Sequence, residues 1–272
     1  MVQGAPDSGD AAVPFDDRGF AYGDGVFETI LVREGKPLLW AQHESRLREG
    51  CSRLGIPQPS TTDLMVAFSR VAELQVTKLV VTRGSGGRGY APPSQPVPRL
   101  RWHSSPFFPQ YTRFNTPNRA RLCRLRLSHQ PLLAGIKHMN RLENVVARRE
   151  WSGDDYVEGL MCDAAGHVVD GTAMNIGWHD GKRWLTPALE GCGVAGTLRA
   201  RLVSEGLMAE SVLTLDDMSC VEALCVFNSV QGVWPIARLD SPDGDLLWQG
   251  SLTQVESLAA PAHDWLGYAQ PD

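Results

Sequence analysis

Pro106, Pro109 and Pro117 interrupt the chain near its middle, in a stretch without sustained periodicity. Proline fixes φ and removes a backbone donor, so neither a helix nor an inner strand runs through such a stretch. The 272 residues are enough for one large domain or two ordinary ones with a sizeable buried core, and the prolines favour two. We therefore expect an N-terminal α/β domain over residues 1–108, an interdomain linker over 109–118 and a C-terminal domain over 119–272.

On the N-terminal side, Gly25 to Val32 is an apolar, β-branched run broken only by Glu28, which predicts a strand. Leu38 to Trp40 reads as another short one. Ala41 to Leu54 predicts a helix, with Leu47, Cys51 and Leu54 on one face and Gly55 as its stop. Thr61 to Leu74 predicts a second, with Leu64, Phe68 and Val71 in register. Thr77 to Arg83 is β-rich and runs into a glycine-heavy loop, Gly84 to Gly89.

Beyond the prolines, an alternating strand spans Ala120 to Leu127 and a helix spans Arg141 to Trp151, with Asn140 and Glu143 as its capping pair. Tyr156–Cys162, His167–Val169 and Ala173–Trp178 read as strands, Gly193–Glu205 as a helix and Val221–Phe227 as a buried strand. No repeat and no regular βαβ series occurs, so the fold class is α+β in two layered domains.

Composition removes several functions. The hydrophobic fraction is 43% and the charged fraction 21%, as in globular proteins. Net charge is −5, from 26 basic and 31 acidic residues, which disfavours a nucleic-acid partner. The basic density between Arg113 and Arg126 is interleaved with apolar residues and reads as solvated linker and strand. No apolar run approaches the roughly 18 residues of a membrane span. Met1 to Pro14 has no basic start followed by an apolar block, so no secretory signal is expected. The 6 cysteines form no CxxC pair and the 7 histidines no HxxxH or HExxH spacing. Reduced core thiols in a cytoplasmic protein, and no metal, are the expectation.

Lys137 is the first candidate for chemistry. It lies in Ala134-Gly135-Ile136-Lys137-His138-Met139-Asn140, among small and apolar residues just before a helix start. Desolvation and the positive helix end both favour a free, nucleophilic amine. An isolated lysine of this kind is most often just an exposed turn residue, and other features change the weighting. Gly191-Cys192-Gly193-Val194-Ala195-Gly196-Thr197 opens a helix, where free N–H groups and small side chains can cradle a phosphate, with the Thr197 hydroxyl added. Asn228-Ser229-Val230-Gln231-Gly232 offers a second set of small polar donors after a buried strand. Arg46 can supply countercharge. Asp170, in Val169-Asp170-Gly171-Thr172, is either a turn residue or a carboxylate placed for a cationic ring nitrogen. Arg83-Gly84-Ser85-Gly86-Gly87-Arg88-Gly89-Tyr90 carries two arginines on a flexible glycine frame, a mobile loop without the Lys-Ser/Thr ending of a P-loop. Arg83 is expected to brace that loop, and Arg88 to meet a substrate carboxylate.

Together these segments resemble the fold-type IV pyridoxal-phosphate enzymes, which include branched-chain and D-amino-acid aminotransferases and aminodeoxychorismate lyase. The likeness runs from Asp17 to Pro235. It begins with Asp17-Arg18-Gly19-Phe20-Ala21-Tyr22-Gly23-Asp24-Gly25-Val26-Phe27-Glu28-Thr29 and His43 with Arg46-Leu47. It continues through the arginine–glycine loop, the Lys137 block, Asp170-Gly171-Thr172 with Asn175-Ile176, the Gly193 to Arg199 helix start and the Asn228 loop. The 83–90 and 134–143 segments are most similar to the lyase. The resemblance implies that pyridoxal 5'-phosphate is carried on Lys137 and that 119–272 is the cofactor-binding domain. It implies that Arg46, Gly196, Thr197 and Ser229 bind the phosphate, and that Arg88 and Tyr90 meet the carboxylate of a small-molecule substrate. It also implies a homodimer. The family usually has Glu where this chain has Asp170, so the shorter side chain must reach the ring nitrogen by a backbone shift or through water.

The activity implied is lysis of 4-amino-4-deoxychorismate to 4-aminobenzoate and pyruvate, a step toward folate. Lys137 would take the proton from the carbon bearing the substrate nitrogen, and Lys137 or Thr29 would protonate the departing enolpyruvyl group. An aminotransferase on the same scaffold is the rival activity. A catalytically silent binding protein is the rival class, and the intact Lys137 block argues against it.

Overall fold

Two units make up the chain, in a computed structural model that describes residues 3–5, 13–69 and 72–268. The first is Met1–Phe108 with Ile136–Asn140, and the second is Pro109–Gly135 with Arg141–Asp272. Residues 109–118 thus belong with the second unit, whereas the short Lys137 segment belongs with the first.

Among the described residues the first unit holds a five-stranded sheet of β1 (Gln3–Ala5), β2 (Gly25–Arg33), β3 (Lys36–Pro37), β4 (Leu74–Thr82) and β5 (Arg99–Pro106). Their order is β1-β5-β4-β2-β3, antiparallel except for β1 on β5. Successive strand residues face opposite sides. Val26, Ile30 and Val32 accordingly join Leu79, Val81 and Leu100 in one core, closed by Leu47 and Cys51. Those two residues come from α2 (Trp40–Leu54), which ends at Gly55 in the left-handed conformation (φ 64°), as its sequence predicts. A five-residue helix, α1 (Arg18–Tyr22), precedes β2 and is capped by Asp17, whose carboxylate accepts from the Gly19 and Phe20 N–H groups.

Two expectations fail here. Leu38 to Trp40 is no strand, because the chain turns there: Leu38 N–H closes on the Leu31 carbonyl at 2.9 Å and Trp40 opens α2. The expected helix from Thr61 to Leu74 ends early, as α3 (Thr61–Met65) and a 3-10 turn Val66–Phe68. Leu64 and Phe68 are buried as that register requires, and Val71 lies outside the described residues. Leu74 pairs with Arg33 instead, since β4 matches β2 residue for residue along its whole length. Sheet pairing overrides the local helical pattern.

The second unit holds a nine-stranded mixed sheet among the described residues. Its strands are β6 (Asn118–Leu127), β7 (Glu158–Asp163), β8 (Val168–Gly171), β9 (Asn175–His179), β10 (Trp184–Pro187), β11 (Ala209–Ser211), β12 (Ala223–Asn228), β13 (Gly232–Asp240) and β14 (Leu246–Gln249). The order is β11-β10-β9-β12-β13-β6-β7-β8, with β14 on β13. Continuous apolar runs such as Ala223–Phe227 are buried on both faces, which suits a central strand. The helices are α4 (Thr112–Asn115), α5 (Leu142–Arg148), α6 (Thr197–Ser204) and α7 (Glu256–Trp265). The fold is α+β, as expected.

The expected capping pair of α5 does not form. Arg141 is the N-cap, without a side-chain hydrogen bond. Asn140 donates to the Gly23 carbonyl (3.2 Å), while Glu143 accepts from Ser128 N–H (2.9 Å). The helix expected from Gly193 begins only at Thr197, because Gly193 has φ 85° and Gly196 is extended. Among the described residues no helix is long and apolar enough to cross a membrane.

Candidate active site

Residues 136–140 run antiparallel beside the start of β2. Phe27 N–H donates to the Lys137 carbonyl (3.0 Å), Val26 pairs with His138, and Met139 N–H donates to the Gly25 carbonyl (2.9 Å). Paired residues of antiparallel strands share a face. His138 therefore lies with Val26 on the α2 side, whereas Lys137 lies with Phe27 on the other. The half-buried Lys137 places Nζ 4.7 Å from the centroid of the Phe27 ring. Lys78 Nζ stands 5.1 Å from the same ring. The Lys137 amino group thus lies against an aromatic face rather than being fully solvated. Thr29 is half-buried two residues along β2, on the same face as Phe27 and opposite Lys78. Asn140 holds the backbone: its amide ties this segment to Gly23.

Behind that face, Glu28 points toward α2 and is 1% exposed. It receives Arg46 Nε at 2.8 Å on Oε1 and a short contact from Arg46 Nη2 on Oε2. His43 Nδ1 lies 2.7 Å from Oε2. Burial pushes the Glu28 carboxyl up, but Arg46 and then His43 outweigh it and bring the pKa to about 2. Burial lowers His43, more strongly than Glu28 raises it. An ionised carboxylate only accepts, so neutral His43 donates its Nδ1–H. Arg46, expected at a phosphate, is therefore gripped along its Nε–Nη2 edge by Glu28. Sequence reasoning left Glu28 unassigned and gave His43 only as part of a motif. His43 and Arg46 stand three residues apart on α2, a spacing that puts them on one helix face, and that was the available signal.

Arg83 turns inward, as expected of a brace. It donates from Nε and Nη2 to Asp24 (2.7 and 3.0 Å) and from Nη1 and Nη2 to the carbonyls of Gly55 (2.8 Å) and Leu54 (2.6 Å). The Asp24 carboxyl is pushed up by burial but held below its ordinary range by Arg83 and Arg18. Arg88 and Tyr90 are exposed, Tyr90 at 87%.

In the second unit, Asp170 is 5% exposed at the end of β8. Its Oδ1 accepts from Asn175 Nδ2 (3.0 Å) and Gly171 N–H (3.1 Å), and its Oδ2 from Val194 N–H (2.9 Å). Asn175 also donates to the Val194 carbonyl (2.8 Å). The segment that opens α6 is thus the segment that orients Asp170. Gly196 caps α6 with no side-chain hydrogen bond, and a Cβ there would stand 1.8 Å from Asn175 Oδ1. Thr197 is 2% exposed in the first turn. Ser229 is 8% exposed in the turn after β12, where Asn228 Oδ1 accepts from the N–H groups of Val230 (2.9 Å) and Gln231 (2.6 Å). Asn175 joins these residues but was read only as part of a motif. Buried Glu158, pushed upward by burial, ties the following turn through Thr172 and Ala173.

The first unit by itself sets an amine against an aromatic face, and the second by itself holds an oriented carboxylate beside the start of α6. Residues 25–239 match the amino-transferase class IV family, and the chain belongs to that family. Aminodeoxychorismate lyase of Vibrio harveyi is 32% identical over 243 residues, covering 86% of this chain and 90% of the relative. The crystal structure of 4-amino-4-deoxychorismate lyase from Pseudomonas aeruginosa superposes with a TM-score of 0.83 at 39% identity, over 93% of this chain and 95% of that one. A hypothetical aminotransferase from Mycobacterium tuberculosis, in PLP-bound form, shares the fold with a TM-score of 0.75 at 22% identity over 94% of each chain.

Proposed function

We propose that this chain is a pyridoxal-phosphate-dependent lyase that converts 4-amino-4-deoxychorismate to 4-aminobenzoate and pyruvate, acting in the cytoplasm as a homodimer in folate biosynthesis. What carries the reading is the likeness to lyases in both sequence and structure, at 32% and 39% identity over most of each chain.

The residues fit the cofactor in their donor chemistry. Lys137 offers a primary amine against the Phe27 ring. Asp170 offers a carboxylate held by Gly171, Asn175 and Val194, suited to the cofactor's ring nitrogen. The start of α6, where Gly196 makes room for Asn175 Oδ1, offers the positive end of a helix to a phosphate. Thr197 and Ser229 add hydroxyls, and Arg46 adds countercharge. When bound, pyridoxal phosphate supplies an electron sink for the pair released as a C–H bond breaks beside the amine.

The chain's own groups then divide the work. Lys137 Nζ takes the proton from the amine-bearing carbon. Phe27 keeps that ammonium against an apolar face, which limits water at the same atom. Lys137, or Thr29 on the same face of β2, protonates the departing enolpyruvyl group. Arg88 and Tyr90 receive a substrate carboxylate at the rim of the 84–91 loop.

The test is pyruvate release from enzymatically generated 4-amino-4-deoxychorismate, coupled to lactate dehydrogenase, alongside detection of 4-aminobenzoate. Stoichiometric appearance of both supports the reading. A yellow protein that makes neither, but converts a D- or branched-chain amino acid to its oxo acid, is an aminotransferase, a reading favoured by the fold shared with the Mycobacterium tuberculosis protein.

A further inference from the structure

We infer that Arg18 is a positioning residue. Its buried guanidinium is the core around which the 84–91 loop is built, and it holds that loop in the form that presents Arg88 and Tyr90 to the substrate. The second half of this inference rests on the reading of Arg88 and Tyr90 proposed above; the first half does not.

Glycine-rich sequence by itself argues for a mobile loop, because glycine has the most conformational freedom to lose. The observed contacts argue the reverse. Arg18 is 5% exposed and opens α1. Nη1 donates to the carbonyls of Gly89 (2.9 Å), Ala91 (3.3 Å) and, more weakly, Gly86 (3.4 Å), and Nη2 donates to Tyr90 (2.9 Å). Nε donates to Asp24 Oδ2 at 2.9 Å, and the Arg18 backbone N–H closes on the Gly84 carbonyl at 2.9 Å. One side chain therefore binds carbonyls from both arms of the loop. Asp24 fixes that side chain in turn, and Arg83 anchors Asp24 to the end of α2.

Space around the guanidinium is closed. A Cβ at Gly87, where φ is 83°, would stand 2.3 Å from the Ala91 carbonyl oxygen and 3.2 Å from Arg18 Nη1. In a trans peptide the carbonyl and the next N–H point in opposite directions. Drawing the Gly86 and Gly89 carbonyls inward therefore turns the N–H groups of Gly87 and Tyr90 away from Arg18. The Tyr90 ring leans edge-on against Tyr22 at 5.4 Å, and Tyr22 is itself 5.0 Å from the Arg18 guanidinium. Lysine cannot replace this fork: one ammonium has three donors and no planar spread with which to serve Asp24 and these carbonyls together.

Three measurements on the holoenzyme test the inference. Backbone 15N order parameters of Gly86 to Tyr90 in the unaltered protein come first and need no variant; values of about 0.85, as in rigid backbone, support a built loop, and values below about 0.6 overturn it. Second, R18K and R18M are digested with trypsin and cleavage after Arg88 is followed by mass spectrometry. The expected result is at least tenfold faster cleavage, and resistance equal to the parent's overturns the claim that Arg18 is the core. Third, KM and kcat for 4-amino-4-deoxychorismate are measured in R18M, R88M and the double variant. The expected pattern is a KM raised about tenfold by R18M with kcat nearly kept, and little further rise when R18M is added to R88M. A loosened loop with unchanged KM in both R18M and R88M overturns the substrate half and the reading of Arg88 with it, while the core role stands on the first two measurements.

Discussion

Replacing Glu28 by Gln keeps the side chain's shape and removes one charge from the buried set it forms with Arg46 and His43. The folded pKa of Glu28 is about 2 and its ordinary value 4.5. A carboxyl whose folded pKa is depressed contributes stability that is complete above the unfolded value and is lost as pH falls through the folded one. For Glu28 the window runs from 4.5 down to about 2. At about 1.4 kcal/mol per unit, the contribution at neutral pH is on the order of 3 kcal/mol. Removing one partner of a buried ion pair costs a similar amount, roughly 3–5 kcal/mol, because the other charge is left without compensation. E28Q is therefore expected to be about 3 kcal/mol less stable near neutrality, a fall in Tm on the order of 10 °C. The assay is urea unfolding of both proteins from neutral pH down through the Glu28 window, read as the stability difference. His43 is held neutral by burial while Glu28 raises its pKa, so its own titration would not cancel between the two proteins; the comparison is therefore made with His43→Asn in both, which leaves the difference between the curves to Glu28. The gap between them should narrow as pH falls below 4.5. A gap that stays constant down to the lowest pH would refute the electrostatic origin, and no gap at all would refute the stabilising role of the buried set.

Four further outcomes are expected. K137A should lose the cofactor's covalent attachment and turnover together; borohydride reduction followed by peptide mass mapping should label the Lys137 peptide of the parent and nothing in the variant. D170N should keep that labelling yet lose turnover on the order of a hundredfold, as a neutral amide stabilises a protonated ring nitrogen poorly; unchanged kcat would remove Asp170 from the ring nitrogen. G196A should weaken cofactor affinity at least tenfold and lower Tm, because its Cβ would fall 1.8 Å from Asn175 Oδ1; equilibrium titration with pyridoxal phosphate reads the first effect and calorimetry the second. With an aromatic disulfide reagent at neutral pH, one thiol per folded chain should react fast. Burial pushes Cys51 and Cys123 to about 12, Cys192 to about 11 and Cys162 and Cys225 upward, whereas Cys220 is exposed, so C220S should abolish the fast phase.

What the sequence discloses of this molecule depends on where each group finds its partner. β2 and α2 are legible because their burial is periodic: alternate residues of Gly25–Arg33 and the Leu47–Cys51 stripe meet in one core. Leu74 misleads because its fate is decided by Arg33 across the sheet, not by its neighbours in the chain. Lys137, Asp170 and Thr197 are legible as candidates for chemistry because each sits in a local motif whose order along the chain is distinctive. Asn140 and Glu143 have the spacing of a capping pair, yet their polar groups are taken by Gly23 and Ser128.

Arg18 is the hardest case, and its illegibility has a definite cause. Glu28, His43 and Arg46 could have been found by pairing the lone acid of an apolar strand with two basic-type residues on one face of the following helix. No such complementarity marks Arg18. Apart from Asp24 and the Tyr22 ring, its partners in the fold are main-chain carbonyls, which every residue carries and no residue type advertises. The glycines of the loop then read as flexibility, when their positive φ angles at Gly84, Gly86, Gly87 and Gly89 are what let the backbone fold around the guanidinium. A glycine-rich loop beside an arginine is therefore better judged by where its carbonyls go than by its composition. In this chain they go to a buried side chain, so the loop is a built surface rather than a lid.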